Sequence, residues 1–272
     1  MSTNRPAYSA PFIEGAPPSV PALLPTSAIT ADWAWGGSTG AGVKVAIIDS
    51  GIESAHPAIV GAIAGYHAID LGPHGLVHSD APHGDNFGHG TACAGIVRGL
   101  APDCELYSVR VLGTRLSGRG EAFVAGLRWA IDAGMQVCNL SLGTTKRDFF
   151  GVFHELADEA YFRRVLLVAA ANNMPIPSFP SVYASVISVA SHAGRDSRQF
   201  YYNPAGPVEF GARGIDVRVA WAGGGWLTAT GNSYAAPHIT GLVALLLAKH
   251  PGLNLTQVKI VLRTLAANAR PW

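Results

Sequence analysis

An α/β fold, with a mostly parallel central sheet flanked by layers of helices, is what this sequence predicts. Three observations predict it. Apolar, β-rich runs at 41–49, 165–171 and 186–190 lack the in-out alternation of a half-exposed strand, so each reads as a strand buried on both faces. Helical periodicity at 121–133 and 152–161 falls between strand-like stretches at 105–112, 136–142 and 165–171, and such alternation implies right-handed crossovers and parallel pairing. The first strand also ends on a carboxylate, Asp49-Ser50-Gly51, at the sheet edge where open α/β folds bind ligands.

Composition sets the frame. With 272 residues, 49% of them hydrophobic and 14% charged, the chain builds one large core, and nothing marks a second. One domain is expected over 26–272. Residues 1–25, rich in Pro, Ala and Ser and without the continuous apolar core of a secretion signal, read as an extended N-terminal arm. A net charge of +1 and no Lys/Arg block exclude the electrostatic footprint of a nucleic-acid or anionic-membrane partner. The longest apolar runs, 165–171 and 242–248, fall far short of the ~20 residues of a membrane span. Cys93, Cys104 and Cys138, an odd count placed in helix or strand segments, read as free thiols, and a cytoplasmic location is expected.

In chain order, the 41–49 strand delivers Asp49, which either opens a turn with Ser50 and Gly51 or serves chemistry at the sheet edge. The stretch 61–88 scatters His67, His74, His78 and His83 among Asp70, Asp80 and Asp85. It has no His-x-x-x-His or Cys-x-x-Cys spacing, so a solvated loop without a metal is expected. Residues 88–97 differ in kind. His89 stands between two glycines and leads into small residues that pack closely as a helix, which sets an accessible imidazole at a helix start. A further helix is expected at about 255–266.

The last informative stretch, 231–241, continues into an apolar helical run ending at Lys249. Ser233 follows a glycine at the start of that helix. A lone serine there is more often a cap, but free N–H groups and the helix dipole would also stabilise an oxyanion beside it. Asp49, His89 and Ser233 together supply an orienter, a base and a nucleophile, in one of the chain orders known for this catalytic geometry.

Asp49-Ser50-Gly51, His89-Gly90-Thr91 and the run from Asn232 to His238 resemble the three active-site signatures of the subtilisin-like serine proteases, in order, over about 26–267. The resemblance implies the three-layer subtilisin-like fold and a serine endopeptidase, with a peptide or protein substrate and no cofactor. By position it implies that Asn173 donates its side-chain N–H to the oxyanion, while Asn172, standing where the family has glycine, is left as the turn residue. It further implies that an extended substrate pairs with Ser141, Leu142 and Gly143 on one side and with Gly118 and Arg119 on the other.

The departures concern residue types and loops. Asn232 stands where threonine is usual and Tyr234 where methionine is. The segment 97–102 lacks the insertion that wraps calcium in many relatives, so no metal is expected there. Cys93 reads as a small buried hydrophobe. The arm at 1–25 is much shorter than a folding-assisting propeptide. Two other readings stay open: an acyl-enzyme captured by an amine, giving peptide ligation or macrocyclisation in peptide maturation, and a non-catalytic peptide-binding module.

Overall fold

The computed structural model describes residues 26–269; the arm expected at 1–25 lies outside them. A 3-10 turn at Thr26–Ala28 precedes α1 (Ala31–Trp35), β1 (Lys44–Asp49), β2 (Ile63–Gly72), β3 (Gly75–Ser79) and α2 (His89–Leu100). Next come β4 (Glu105–Arg110), α3 (Gly120–Asp132), β5 (Val137–Leu140) and, after a 3-10 turn at Arg147–Phe149, α4 (Phe150–Phe162). The chain continues through β6 (Leu166–Ala170), β7 (Ile187–His192), β8 (Phe200–Tyr202), β9 (Phe210–Arg213), β10 (Val217–Trp221) and β11 (Gly225–Ala229). Two helices close it, α5 (Asn232–Lys249) and α6 (Leu255–Leu265).

Nine strands form the central sheet in the order β3-β2-β4-β1-β5-β6-β7-β9-β8. Every pairing from β2 to β9 along that order is parallel, and only the edge strands β3 and β8 run antiparallel. The strands β10 and β11 form a separate hairpin. Successive side chains of β1 alternate between two cores. Val45 and Ile47 join α2, α5 and α6 on one face, while Ala46 and Ile48 join α3 and α4 on the other. Cover on both faces is why β1 carries an almost unbroken apolar run and why the fold has three layers. Helix α5 is buried at Leu242, Val243, Ala244, Leu245, Leu246 and Leu247, because it lies against the sheet and against α2 at once.

One expectation is overturned in part. Within 61–88 only 80–88 is the expected loop: β2 pairs with β4 and turns back through a largely exposed β3, with Leu71 opposite Leu76. Sequence periodicity missed β2 because its burial comes from partners far along the chain. His67, for instance, is buried and stacks on Trp129 of α3 with ring centroids 4.4 Å apart. Its Nδ1 lies 2.6 Å from Asp80 Oδ1 and its Nε2 3.0 Å from His78 Nδ1, so two of the scattered imidazoles and one carboxylate form a hydrogen-bonded row along the hairpin. A smaller correction concerns Cys104, which sits in the turn before β4 rather than inside a strand. All three cysteines are buried free thiols. Among the described residues no helix is long and apolar enough to cross a membrane.

Candidate active site

Asp49 ends β1 at the carboxyl edge of the sheet and is fully buried. Its Oδ1 accepts the Ser50 N–H at 2.7 Å, and both carboxylate oxygens lie 2.9 Å from His89 Nδ1. That contact places a proton on Nδ1 and leaves the Nε2 lone pair as the basic one. Burial pulls the His89 imidazole down, but the Asp49 carboxylate overrides it, so the group is held well above the ordinary imidazole range.

The glycines around His89 are steric necessities. A side chain at Gly90 would place its Cβ 2.0 Å from the Gly51 carbonyl oxygen, and Gly88, at φ +115°, would press one into the Trp221 ring. Helix α2 therefore starts hard against the turn leaving β1. Asp85, which the sequence offered only as one carboxylate among several, closes that junction. Its Oδ1 accepts the Ser50 hydroxyl and the N–H groups of Phe87 and Gly88, and its Oδ2 accepts the Thr91 N–H and hydroxyl. The legible signal was an aspartate just ahead of a helix start, the ordinary acceptor for orphan N–H groups.

Ser233 is the second residue of α5. Pro237, four residues on, has no N–H, so the Ser233 carbonyl lacks its helical donor. The Ser141 hydroxyl replaces it at 2.7 Å, with the Cys93 thiol at 3.6 Å. Ser141, expected on the substrate edge, thus spends its side chain on the Ser233 backbone, and Asn139 holds it in turn by donating to Ser141 Oγ. The Ser233 hydroxyl is not hydrogen-bonded to His89, a contact that commonly tightens only with substrate bound. The motif's other imidazole, His238, is buried and donates from Nδ1 to the Tyr234 carbonyl. Burial pushes its pKa down to about 4, which keeps it neutral and structural.

The two amides after β6 part company. Asn172 Oδ1 accepts the Met174 N–H and closes a turn, while Asn173 Oδ1 accepts the Asn232 N–H at 2.9 Å. A Cβ built on Gly231 would lie 3.3 Å from Ser233 Oγ and 3.6 Å from Asn173 Nδ2, so hydroxyl and amide face the same space. Leu142 and Gly143 leave the end of β5 outside any ladder, and Gly143 is exposed. Residues 117–119, expected on the opposing edge, are irregular, and Gly120 already belongs to α3. Gly118 admits no side chain, since a Cβ there would meet the Val111 carbonyl at 2.6 Å. Gly118 and Arg119 also line a cavity of about 210 Å³ beneath the β2–β3 hairpin that none of Asp49, His89 and Ser233 borders.

Among the described residues, the one trio of His, Cys or carboxylate atoms close enough to share an ion is Asp49, His89 and Cys93, within 4.8 Å of one another. Burial pushes the Cys93 thiol up and keeps it protonated, and His89 Nδ1 is spent on Asp49; the trio is a hydrogen-bonded set. Residues 97–100 are the last turn of α2, and Arg98 donates to the Ile59 carbonyl where a calcium loop would need oxygen ligands. A calcium chelator is therefore expected to leave activity and melting temperature nearly unchanged. A fall of about 10 °C or more in Tm that added calcium reverses, about 3–5 kcal/mol for a domain this size, would refute this.

Three comparisons with known proteins bear on this geometry. The model of the Subtilase family (Peptidase S8) matches residues 40–271. Subtilisin DY of Bacillus licheniformis is 32% identical over 249 residues, covering 85% of this chain and 86% of that protein. Subtilisin Savinase of Lederbergia lenta is 32% identical over 246 residues, with the same shares covered. M-protease of Shouchella clausii (strain KSM-K16) is 33% identical over 244 residues, covering 85% of this chain but 60% of that longer protein. Among solved structures, Sphericase superposes with a TM-score of 0.70 at 26% identity, over 83% of this chain and 84% of its own.

Proposed function

This chain belongs to the subtilase family and is a serine endopeptidase, and we propose that Ser233, His89, Asp49 and Asn173 divide its reaction among them. Ser233 Oγ attacks the carbonyl carbon of a peptide bond while His89 Nε2 takes the hydroxyl proton. Asp49 stabilises the imidazolium and holds its tautomer. The new oxyanion sits between the Ser233 backbone N–H, which α5 leaves without a helical acceptor, and Asn173 Nδ2. His89 then returns the proton to the leaving amine, and water, activated by the same imidazole, releases the acyl group from Ser233.

The observation that carries this reading is the Asp49 contact, two oxygens 2.9 Å from one ring nitrogen of a buried histidine, on a helix that packs against the one bearing Ser233. We place the substrate backbone along Leu142 and Gly143 on one side and Gly118 on the other, because these peptide groups are free of any ladder.

A serine-directed reagent such as a sulfonyl fluoride is expected to label Ser233 alone, as read by peptide mass mapping. Digestion of a general protein substrate is expected to yield fragments whose summed mass exceeds that of the substrate by one water for each bond cut. Label elsewhere with activity lost would overturn the nucleophile, and joined fragments would indicate ligation instead.

The pH profile follows from the site's electrostatics. Since Asp49 holds the His89 imidazole well above the ordinary value, the rising limb of kcat/KM is expected above about pH 6.5, the free imidazole value. Stability runs the other way. A raised folded-state value means the fold favours the imidazolium, so this contribution is complete below about 6.5 and is lost as pH climbs through the raised value. Activity and the His89 contribution to Tm should therefore move oppositely above pH 6.5. A limb centred below about 6, with chemistry limiting, would count against His89 as the base.

A further inference from the structure

Asn232 occupies the first position of α5 beside the nucleophile, and its side chain is fully committed. Its Oδ1 accepts the Ser191 N–H at 2.8 Å, at the carboxyl end of β7. Its Nδ2 donates both hydrogens, to the Ala171 carbonyl at 3.2 Å and the Asn172 carbonyl at 3.0 Å. Its backbone N–H donates to Asn173 Oδ1 at 2.9 Å. A carboxamide suits the task because it accepts at one end and donates twice at the other, whereas a threonine hydroxyl has one proton to give.

We infer that Asn232 is a positioning residue that sets the distance between the nucleophile and the oxyanion donor. This rests on the reading of Asn173 as that donor. Residues 171–173 leave the end of β6 with the Ala171 N–H still donating to the Val189 carbonyl at 2.8 Å, and two of their carbonyls are tied to the residue next to Ser233. The same residue's backbone holds Asn173 Oδ1, which turns Nδ2 toward the space shared with Ser233 Oγ. The third bond, to Ser191, fixes Asn232 itself to the neighbouring strand. Nucleophile, donor and sheet edge thus move as one body. Oxyanion stabilisation depends steeply on donor placement, since donors must stand ready about 2.7–3.1 Å from the developing charge.

The test is a double-mutant cycle on the purified enzyme, with kcat and KM measured on a peptide substrate and Tm recorded for each variant. Asn173→Ala is expected to lower kcat about 10²–10³-fold. Asn232→Ala, which removes the three side-chain bonds and keeps the backbone one, is expected to lower kcat about 10–100-fold with KM changed less than about threefold. In the Asn173→Ala background it should cost less than about threefold further, because the donor it positions is already gone. Asn232→Thr should recover part of the loss, and it replaces the alanine variant in the cycle should that one fail to fold.

An Asn232→Ala enzyme with unchanged kcat, a loss confined to KM, or a penalty that multiplies in full onto Asn173→Ala would overturn the role of Asn232 alone. Near-normal kcat in Asn173→Ala would overturn the oxyanion assignment and the positioning role with it.

Discussion

Ser233→Ala is expected to lower kcat by about six orders of magnitude, the loss seen when the nucleophile of a serine and histidine pair is removed. What remains, about 10³–10⁴ over the uncatalysed rate, comes from substrate binding and the oxyanion donors. The fold should not notice. The contacts at this residue from Ser141 and Cys93 go to the Ser233 backbone carbonyl, which alanine keeps, and the hydroxyl itself bridges no structural group. Tm should stay within about 2 °C of the parent, the range for a substitution that breaks no packing or buried bond. A folded, uncontaminated variant retaining more than about one part in a thousand of the parent kcat would remove Ser233 from its role.

Asp49→Asn is expected to lower kcat about 10⁴-fold with little change in KM. The variant is nearly isosteric, so packing at this fully buried position survives. What changes is the proton. His89 Nδ1 now donates to a carboxylate whose two oxygens lie equally near, and an amide offers an N–H in place of one of them. The imidazole is then drawn to the other tautomer, with its proton on Nε2, where it can no longer accept from Ser233. Losing the carboxylate also removes the charge that holds His89 up, so the pH limb should move toward lower pH in the residual activity. A loss below about tenfold, or a limb that stays in place, would show that Asp49 neither fixes the tautomer nor tunes the base.

The sequence by itself determined the parallel sheet and marked Asp49, His89 and Ser233, in that order, as the candidates for its chemistry. Each of these has a local cause. Apolar runs such as 165–171 need no partner to announce burial on two faces, and a glycine on each side of His89 marks a helix start, although the imidazole placed there is buried and not accessible as the sequence suggested. Only the tertiary structure decided what steadies those residues. Pro237 can be read as a missing donor, but the hydroxyl that makes good the loss belongs to Ser141, 92 positions away. Asp85 can be read as a cap, yet its hold on Ser50, and so on the Asp49 turn, exists only once β1 and α2 meet. The β2–β3 hairpin stayed hidden because His67 is buried by Trp129 and matched to Asp80 and His78 across the turn, which no local period records. The physical reason is common to all three. A hydrogen-bond donor or acceptor is visible in a sequence, but its partner is chosen by distance in space, and that is set only when the layers pack.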